Sequence, residues 1–278
     1  MQPSFKKLLE ITRCFLIFPS MHLRHPLIRC CSSAIVVLTL IGWVGYPLCA
    51  ASYINPQSFQ IDAIIPPPPK LGTEEYKLDS GFLKDARAAS TREQFDRGMT
   101  ASHDGVFDFS QSLGSWFCSR NLPISTKLFD KVNQETKKAI DVAKEHFMRG
   151  RPPTWKVTGD IEKSDGFSYP SGYATRAFVW AILLSDAFPD MKKALHMQAR
   201  QKAWYRVILG RHFPYDVHAG KGYGRFLSEQ FLKSPEFKKA WARACAEMRE
   251  VRRRNTQHLV VPTSPPVARP CVSATSNR

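Results

Sequence analysis

The sequence predicts an all-α protein, a single helical bundle, on three observations. Between about Lys70 and Val251 the apolar residues recur near the helical period of roughly 3.6, with few alternating runs. Pro, Ser and Gly stand where such helices would begin or pause, as at Pro170-Ser171-Gly172, Pro214 and Ser234-Pro235. A content of 43% apolar and 12% aromatic residues supplies enough surface for one core. Disorder throughout is excluded by the same numbers. The 15 Gly and 20 Pro follow no fixed period, which excludes collagen, and no repeat suggests a solenoid or propeller.

Residues 1–51 read as a signal peptide. No charged side chain lies between Cys30 and Ile61, and the apolar stretch from Ala34 to Gly45 follows a basic run with Arg24 and Arg29. Pro47 ends the stretch, and Cys49, Ala50 and Ala51 offer a small-residue exit with removal near Ala50 or Ala51. The residues before Met21 add nothing that export requires, so Met21 is the expected start. An uncleaved anchor is the alternative, because the uncharged stretch is long enough to span a bilayer. Residues 52–75 are expected to form an extended leader, since the prolines from Pro66 to Pro69 cannot donate helical amides.

Residues 76–254 form the expected helical domain. Leu128, Val132, Ile140, Ala143 and Phe147 mark one stripe of a helix predicted to reach Arg149, where Arg151-Pro152-Pro153 stops it. A second helix opens at Ser171-Gly172-Tyr173 and carries Ala177, Phe178, Ala181, Ile182 and Leu184 inward. A third spans about Met191 to Leu209 and is interrupted by Gly210. Pro214 begins a fourth, whose Gly220 and Gly224 permit close approach to a neighbour. The last has Ser234 as N-cap, Pro235 first, and Phe237, Trp241, Cys245 and Met248 on one side. Residues 255–278, rich in proline and small polar side chains, read as a disordered tail.

The net charge of +16 falls only to +12 without residues 1–50, so the excess belongs to the domain and favours an anionic partner. Charge alone does not choose among phosphate groups, an acidic membrane face and nucleic acid. No nucleic-acid-binding module accompanies it. The run Arg249, Arg252, Arg253 and Arg254 reads as a solvated charged face. Outside the signal only Cys118, Cys245 and Cys271 remain, without a paired C-x-x-C, which argues against a cysteine metal site and leaves any disulfide pairing open. His103, His146, His196, His218 and His258 lack ligating spacing, so no metal is expected.

Three stretches carry chemistry. Lys144 and Arg151 are seven residues apart, and seven residues at about 3.6 per turn return to almost the same face, so both cations can reach one anion. Tyr169-Pro170-Ser171-Gly172-Tyr173 is a loop entering a helix, where first-turn amides and the helix dipole can face an oxyanion. In Arg206 to Asp216, a helix starting at Pro214 puts Asp216 in its first turn, within reach of His212 just outside. Such a carboxylate can hold the proton of one ring nitrogen and leave the other free to attack. Each has a plainer reading as a solvated basic pair, an ordinary N-cap or a structural histidine.

Together, Lys144-x6-Arg151-Pro152, Pro170-Ser171-Gly172 and Arg206-x5-His212-x3-Asp216 resemble the tripartite signature of the type 2 phosphatidic acid phosphatase and vanadium haloperoxidase-like superfamily, and most of all its class A bacterial acid phosphatases. The proline leader, Leu122-Pro123-Ile124-Ser125 and Lys144 to Arg149 are similar as well, so the resemblance spans roughly 57–252. It implies the helical bundle of that superfamily and a secreted or periplasmic phosphomonoesterase that needs no cofactor or metal and passes through a phosphohistidine. In that assignment Lys144, Arg151 and Arg206, with the amides near Ser171 and Gly172, neutralise the phosphoryl oxygens. His212 is the nucleophile and Asp216 orients it. The expected partner is a phosphate monoester, with inhibition by phosphate or vanadate; nucleic acid is not a partner, a membrane is one only if the N-terminal segment is retained, and a homo-oligomer is left open.

Two positions depart from the pattern. Tyr173 stands where the family has the histidine that protonates the leaving alkoxide, a role worth about 10²- to 10⁴-fold in rate. Tyrosine, with a reference pKa of about 10, gives up its proton less readily than an imidazolium. The expectation is weak turnover biased toward aryl phosphates, with phosphate binding and histidine attack retained; a phosphate-binding member without useful turnover and an anchored lipid phosphatase are the alternatives. Tyr205 stands where the family has serine, and either fills space or narrows the phosphate pocket.

Overall fold

The computed structural model describes residues 52–101, 105–153 and 166–260. Among these, every regular element is helical. In chain order they are α1 (Ile61–Ile64), α2 (Glu74–Ala88), α3 (Arg92–Thr100), α4 (Ser110–Leu113), α5 (Pro123–Phe147), α6 (Gly172–Ala187), α7 (Lys192–Ile208), α8 (Pro214–Lys233) and α9 (Pro235–Val260), with short 3-10 turns at Pro56–Ser58, Val106–Phe109 and Pro189–Met191.

The centre of the bundle is α6, which is buried around most of its circumference and packs against α5, α7 and α8. Its crossing with α8 depends on two glycines. A Cβ at Gly220 would lie 2.7 Å from the Ser171 carbonyl oxygen, and one at Gly224 would lie 2.6 Å from that of Thr175. Neither space admits a side chain, so the two backbones touch beside the N-terminus of α6. Buried Phe109 and the edge-on or tilted pairs Phe117–Phe129, Phe129–Trp180 and Trp116–Phe188 fill the region beyond. The α5 stripe is buried as its spacing predicts, from Leu128 and Val132 to Ile140 and Ala143. Pro123 opens α5, whose first amides at Ile124 and Ser125 are capped from α9 by the Glu247 carboxylate at 2.9 and 2.7 Å.

The boundaries differ from the expected ones in three places. The leader is not uniformly extended: Ile54, Ile61 and Ile65 are buried, and the turn at Pro56–Ser58 and α1 bring them onto the core before the prolines straighten the chain. Helix α5 stops at Phe147, two residues before Arg149, because Met148 adopts a left-handed conformation at φ 48°. Helix α9 continues through residue 255 to Val260, supported by pairs from Glu250 to Arg253 and Arg254; the first helix breaker after it is Pro262. Arg252 pairs with Asp190, in keeping with a solvated charged face. Cys118 and Cys245 are free thiols, and the signal segment and Cys271 lie outside the described residues. Among the described residues no helix is long and apolar enough to cross a membrane.

Candidate active site

The site lies where the C-terminal end of α5, the entry to α6 and the α7–α8 turn meet. Past Met148 the chain leaves the helix, so Lys144 and Arg151 do not share a helical face as their spacing suggested. They meet because residues 149–151 run beside residues 166–168. Ser168 donates its amide to Arg149 O at 2.8 Å and its hydroxyl to Gly150 O at 2.9 Å. Lys144 Nζ donates to Phe167 O, and Arg151 Nε donates to Gly166 O at 2.9 Å. Arg151 also reaches the α7–α8 turn, donating from Nη1 to Arg211 O at 3.1 Å. Burial and the neighbouring Arg151 pull Lys144 down to about 8.

That turn is built by the end of α7. Arg206 O accepts from both Arg211 N at 3.0 Å and His212 N at 3.2 Å, while Gly210 supplies the left-handed residue at φ 71°. His212 is thereby folded back into the bundle and is only 2% exposed. Its Nε2 lies 3.5 Å from Arg151 Nη1 and its Nδ1 3.5 Å from Asp216 Oδ2. A guanidinium can only donate, so Nε2 carries the lone pair and the ring proton belongs on Nδ1, facing the carboxylate. Burial, then Arg151, Lys144 and Arg206, hold the imidazole well below its usual pKa, so it stays neutral in mild acid. Three of the cations picked from sequence therefore bear on one ring.

Asp216 is fully buried in the first turn of α8, where its Oδ2 accepts from Phe213 N at 3.0 Å. Burial pushes its carboxyl up, and Arg149 acts against that. Ser171 caps α6 by accepting from Ala174 N at 3.4 Å, but its own amide donates to Asp216 O at 2.9 Å. This corrects its expected part: the Ser171 amide is committed to joining α6 to α8, so an anion could receive only its hydroxyl proton. Gly172 is the first helical residue, and a Cβ there would meet Ile140 and Arg176 at 3.3 to 3.4 Å.

The Tyr173 ring packs against Arg206, whose guanidinium carbon is 3.6 Å from the ring centroid. Arg206 is 3% exposed, so this cation–π contact is largely desolvated. The adjacent Tyr205 faces the other way. Its ring packs on Gly98 of α3 and its hydroxyl accepts from Gln201 Nε2 at 2.8 Å, so it fills space rather than narrowing the anion site.

Two residues here escaped the sequence reading. Arg149 donates from Nη1 to Asp216 Oδ1 at 2.6 Å and from Nη2 to Asp79 Oδ2 at 2.8 Å, all three side chains being buried. The available signal was an aspartate on the inward stripe of α2, four residues from buried Leu83. His146 points away, to Asp62 at 2.9 Å.

Residues 137–235, which hold all of these motif positions, match the PAP2 superfamily. The chain is 26% identical over 213 residues to a non-specific acid phosphatase from Providencia stuartii, covering 72% of this chain and 85% of the relative. It is 29% identical over 197 residues to a non-specific acid phosphatase from Salmonella typhimurium, covering 67% and 79%. A solved structure of the first transmembrane PAP2 type phosphatidylglycerolphosphate phosphatase from Bacillus subtilis aligns with 57% of this chain and 85% of its own at 21% identity and a TM-score of 0.43.

Proposed function

We propose that this chain, whose residues 137–235 match the PAP2 superfamily and which is similar to non-specific acid phosphatases, is an exported phosphomonoesterase acting through a phosphohistidine at His212. The observation that carries this reading is a buried imidazole with Arg151 at its Nε2, Lys144 and Arg206 close enough to lower its pKa, and a carboxylate at its Nδ1. Phosphoryl transfer depends on charge neutralisation and an in-line nucleophile, and this arrangement supplies both.

The phosphate oxygens bind to Lys144, Arg151 and Arg206, which draws Arg151 from Nε2 to the substrate. Nε2 forms the bond to phosphorus as the ester P–O bond breaks, and the alkoxide leaves with a proton if a donor is present. Asp216 stabilises the cationic, phosphorylated ring. Water then attacks phosphorus, and Nε2 departs with the electron pair. Because the imidazole remains neutral below the ordinary histidine range, the nucleophile stays available in acid. The route involves no metal or cofactor.

Tyr173, held against Arg206, is a poor proton donor beside the leaving group, which supports the bias toward aryl esters. The same stacking favours a second reading, a phosphate-binding member without useful turnover. Initial rates on p-nitrophenyl phosphate and glycerol phosphate, measured across pH beside His212→Ala, separate them. The enzyme reading predicts aryl hydrolysis that His212→Ala removes; tight phosphate binding with no hydrolysis of either ester supports the binder. Export is checked by N-terminal sequencing of secreted protein, with a start near Ala51 expected and a retained apolar segment contradicting it.

A further inference from the structure

Arg149 is placed between two carboxylates drawn from distant parts of the chain. One arm of its fork holds Asp216 Oδ1 and the other holds Asp79 Oδ2, at 2.6 and 2.8 Å. Its flat face lies over the Phe213 ring, 4.1 Å from the centroid. Asp79 in turn accepts the Tyr215 amide at 2.9 Å, in the same first turn of α8 that carries Asp216. The remaining oxygen of Asp216, Oδ2, is fixed by the Phe213 amide and is the atom that faces His212 Nδ1. Each oxygen of the two carboxylates therefore has an assigned partner, and the titratable ring nearest Asp216 Oδ2 is the imidazole.

We propose that Arg149 and Asp79 are a positioning pair for the Asp216–His212 couple: they lock the Asp216 carboxylate in one orientation and set how much of its charge the imidazole feels. The proposal rests on His212 being the nucleophile. Two carboxylates and one guanidinium leave a single buried negative charge, which matches the single positive charge the imidazole gains on phosphorylation. Without Asp79, Arg149 would neutralise Asp216 more completely. Without Arg149, two buried carboxylates would face each other and one would take up a proton. The other groups that face this couple are Tyr76 from α2, Lys144 from α5, Arg151 from the segment after α5, Tyr169 from the loop before α6, Arg206 from α7 and Tyr215 from α8.

The test is the acid limb of kcat for an aryl phosphate in Asp79→Asn and Arg149→Met, beside wild type and His212→Ala. Asp79→Asn removes a like charge from the cluster, so Asp216 ionises more readily and the limb moves to lower pH. Arg149→Met removes the nearest cation, and the limb moves up by about one to three pH units. The inhibition constant of inorganic phosphate stays within about twofold in both, because Lys144, Arg151 and Arg206 are untouched. A packing role would lower the yield or rate of both variants without moving their limbs in opposite directions, and that result overturns the proposal. If Arg149→Met does not fold, Asp79→Asn decides: a downward shift supports the pair and an unmoved limb overturns it. Activity that survives in His212→Ala, or an inactive wild type, overturns the nucleophile reading and the pair with it. Loss of activity in His212→Ala with unmoved limbs overturns the pair alone.

Discussion

Replacing Tyr173 by histidine sets two effects of opposite sign against each other. The ring now stacks on Arg206 at 3.6 Å in a nearly water-free setting, a contact worth up to about 2 kcal/mol. Weakening it frees Arg206 to move, and at about 1.4 kcal/mol per tenfold the loss is at most roughly 30-fold in kcat/KM for any phosphate ester. Against that, an imidazolium beside the leaving oxygen contributes about 10²- to 10⁴-fold, but only where departure needs a proton. The alkyl-phosphate rate therefore rises by at least roughly 3-fold and by up to about 10⁴-fold, while the aryl-phosphate rate stays level or falls. The loss through Arg206 cancels in the ratio of the two, so the alkyl-to-aryl ratio of kcat/KM reads the acid alone. Steady-state rates on glycerol phosphate and p-nitrophenyl phosphate give that ratio. An unchanged ratio in folded Tyr173→His protein refutes the reasoning, whatever the absolute rates.

Other outcomes follow from the same geometry. Lys144, lowered to about 8, is cationic below that pH and neutral above it, so phosphate affinity falls as pH rises through about 8; inhibition by inorganic phosphate measured from pH 7 to 10 shows the step, and Lys144→Gln abolishes it. Gly224→Ala would set a Cβ 2.6 Å from Thr175 O and 3.0 Å from Phe178 Cβ, which pushes α8 from α6 and costs about 1 to 3 kcal/mol in urea denaturation. Glu247→Ala leaves the Ile124 and Ser125 amides uncapped at the start of α5 and costs about 1 to 2 kcal/mol by the same measurement, with kcat unaffected in the folded fraction.

Helix starts were the most legible part of the fold, because Ser171, Pro214 and Ser234-Pro235 act locally and need no tertiary partner. Helix ends were less so. Met148 terminates α5 in a left-handed conformation without the glycine that usually signals one, and α9 outlasts its expected end because Glu250 supports the following arginines. The spacing of Lys144 and Arg151 suggested a shared helical face that does not exist; residues 149–151 lie beside residues 166–168, held by Ser168, and that brings the two cations together instead. Arg149 and Asp79 were hidden because their partnership joins positions 70 residues apart, which no local pattern encodes. Ser171 was legible as a cap, but the commitment of its amide to Asp216 is a consequence of how closely Gly220 lets α8 approach.

The central claim is tested most directly by rapid acid-free quenching of the protein with a labelled aryl phosphate, followed by peptide mapping of the label. The account predicts an acid-labile, base-stable phosphoryl group on the peptide containing His212, absent in His212→Ala. Steady hydrolysis of the same ester with no label trapped on that peptide, or with label on another side chain, contradicts it.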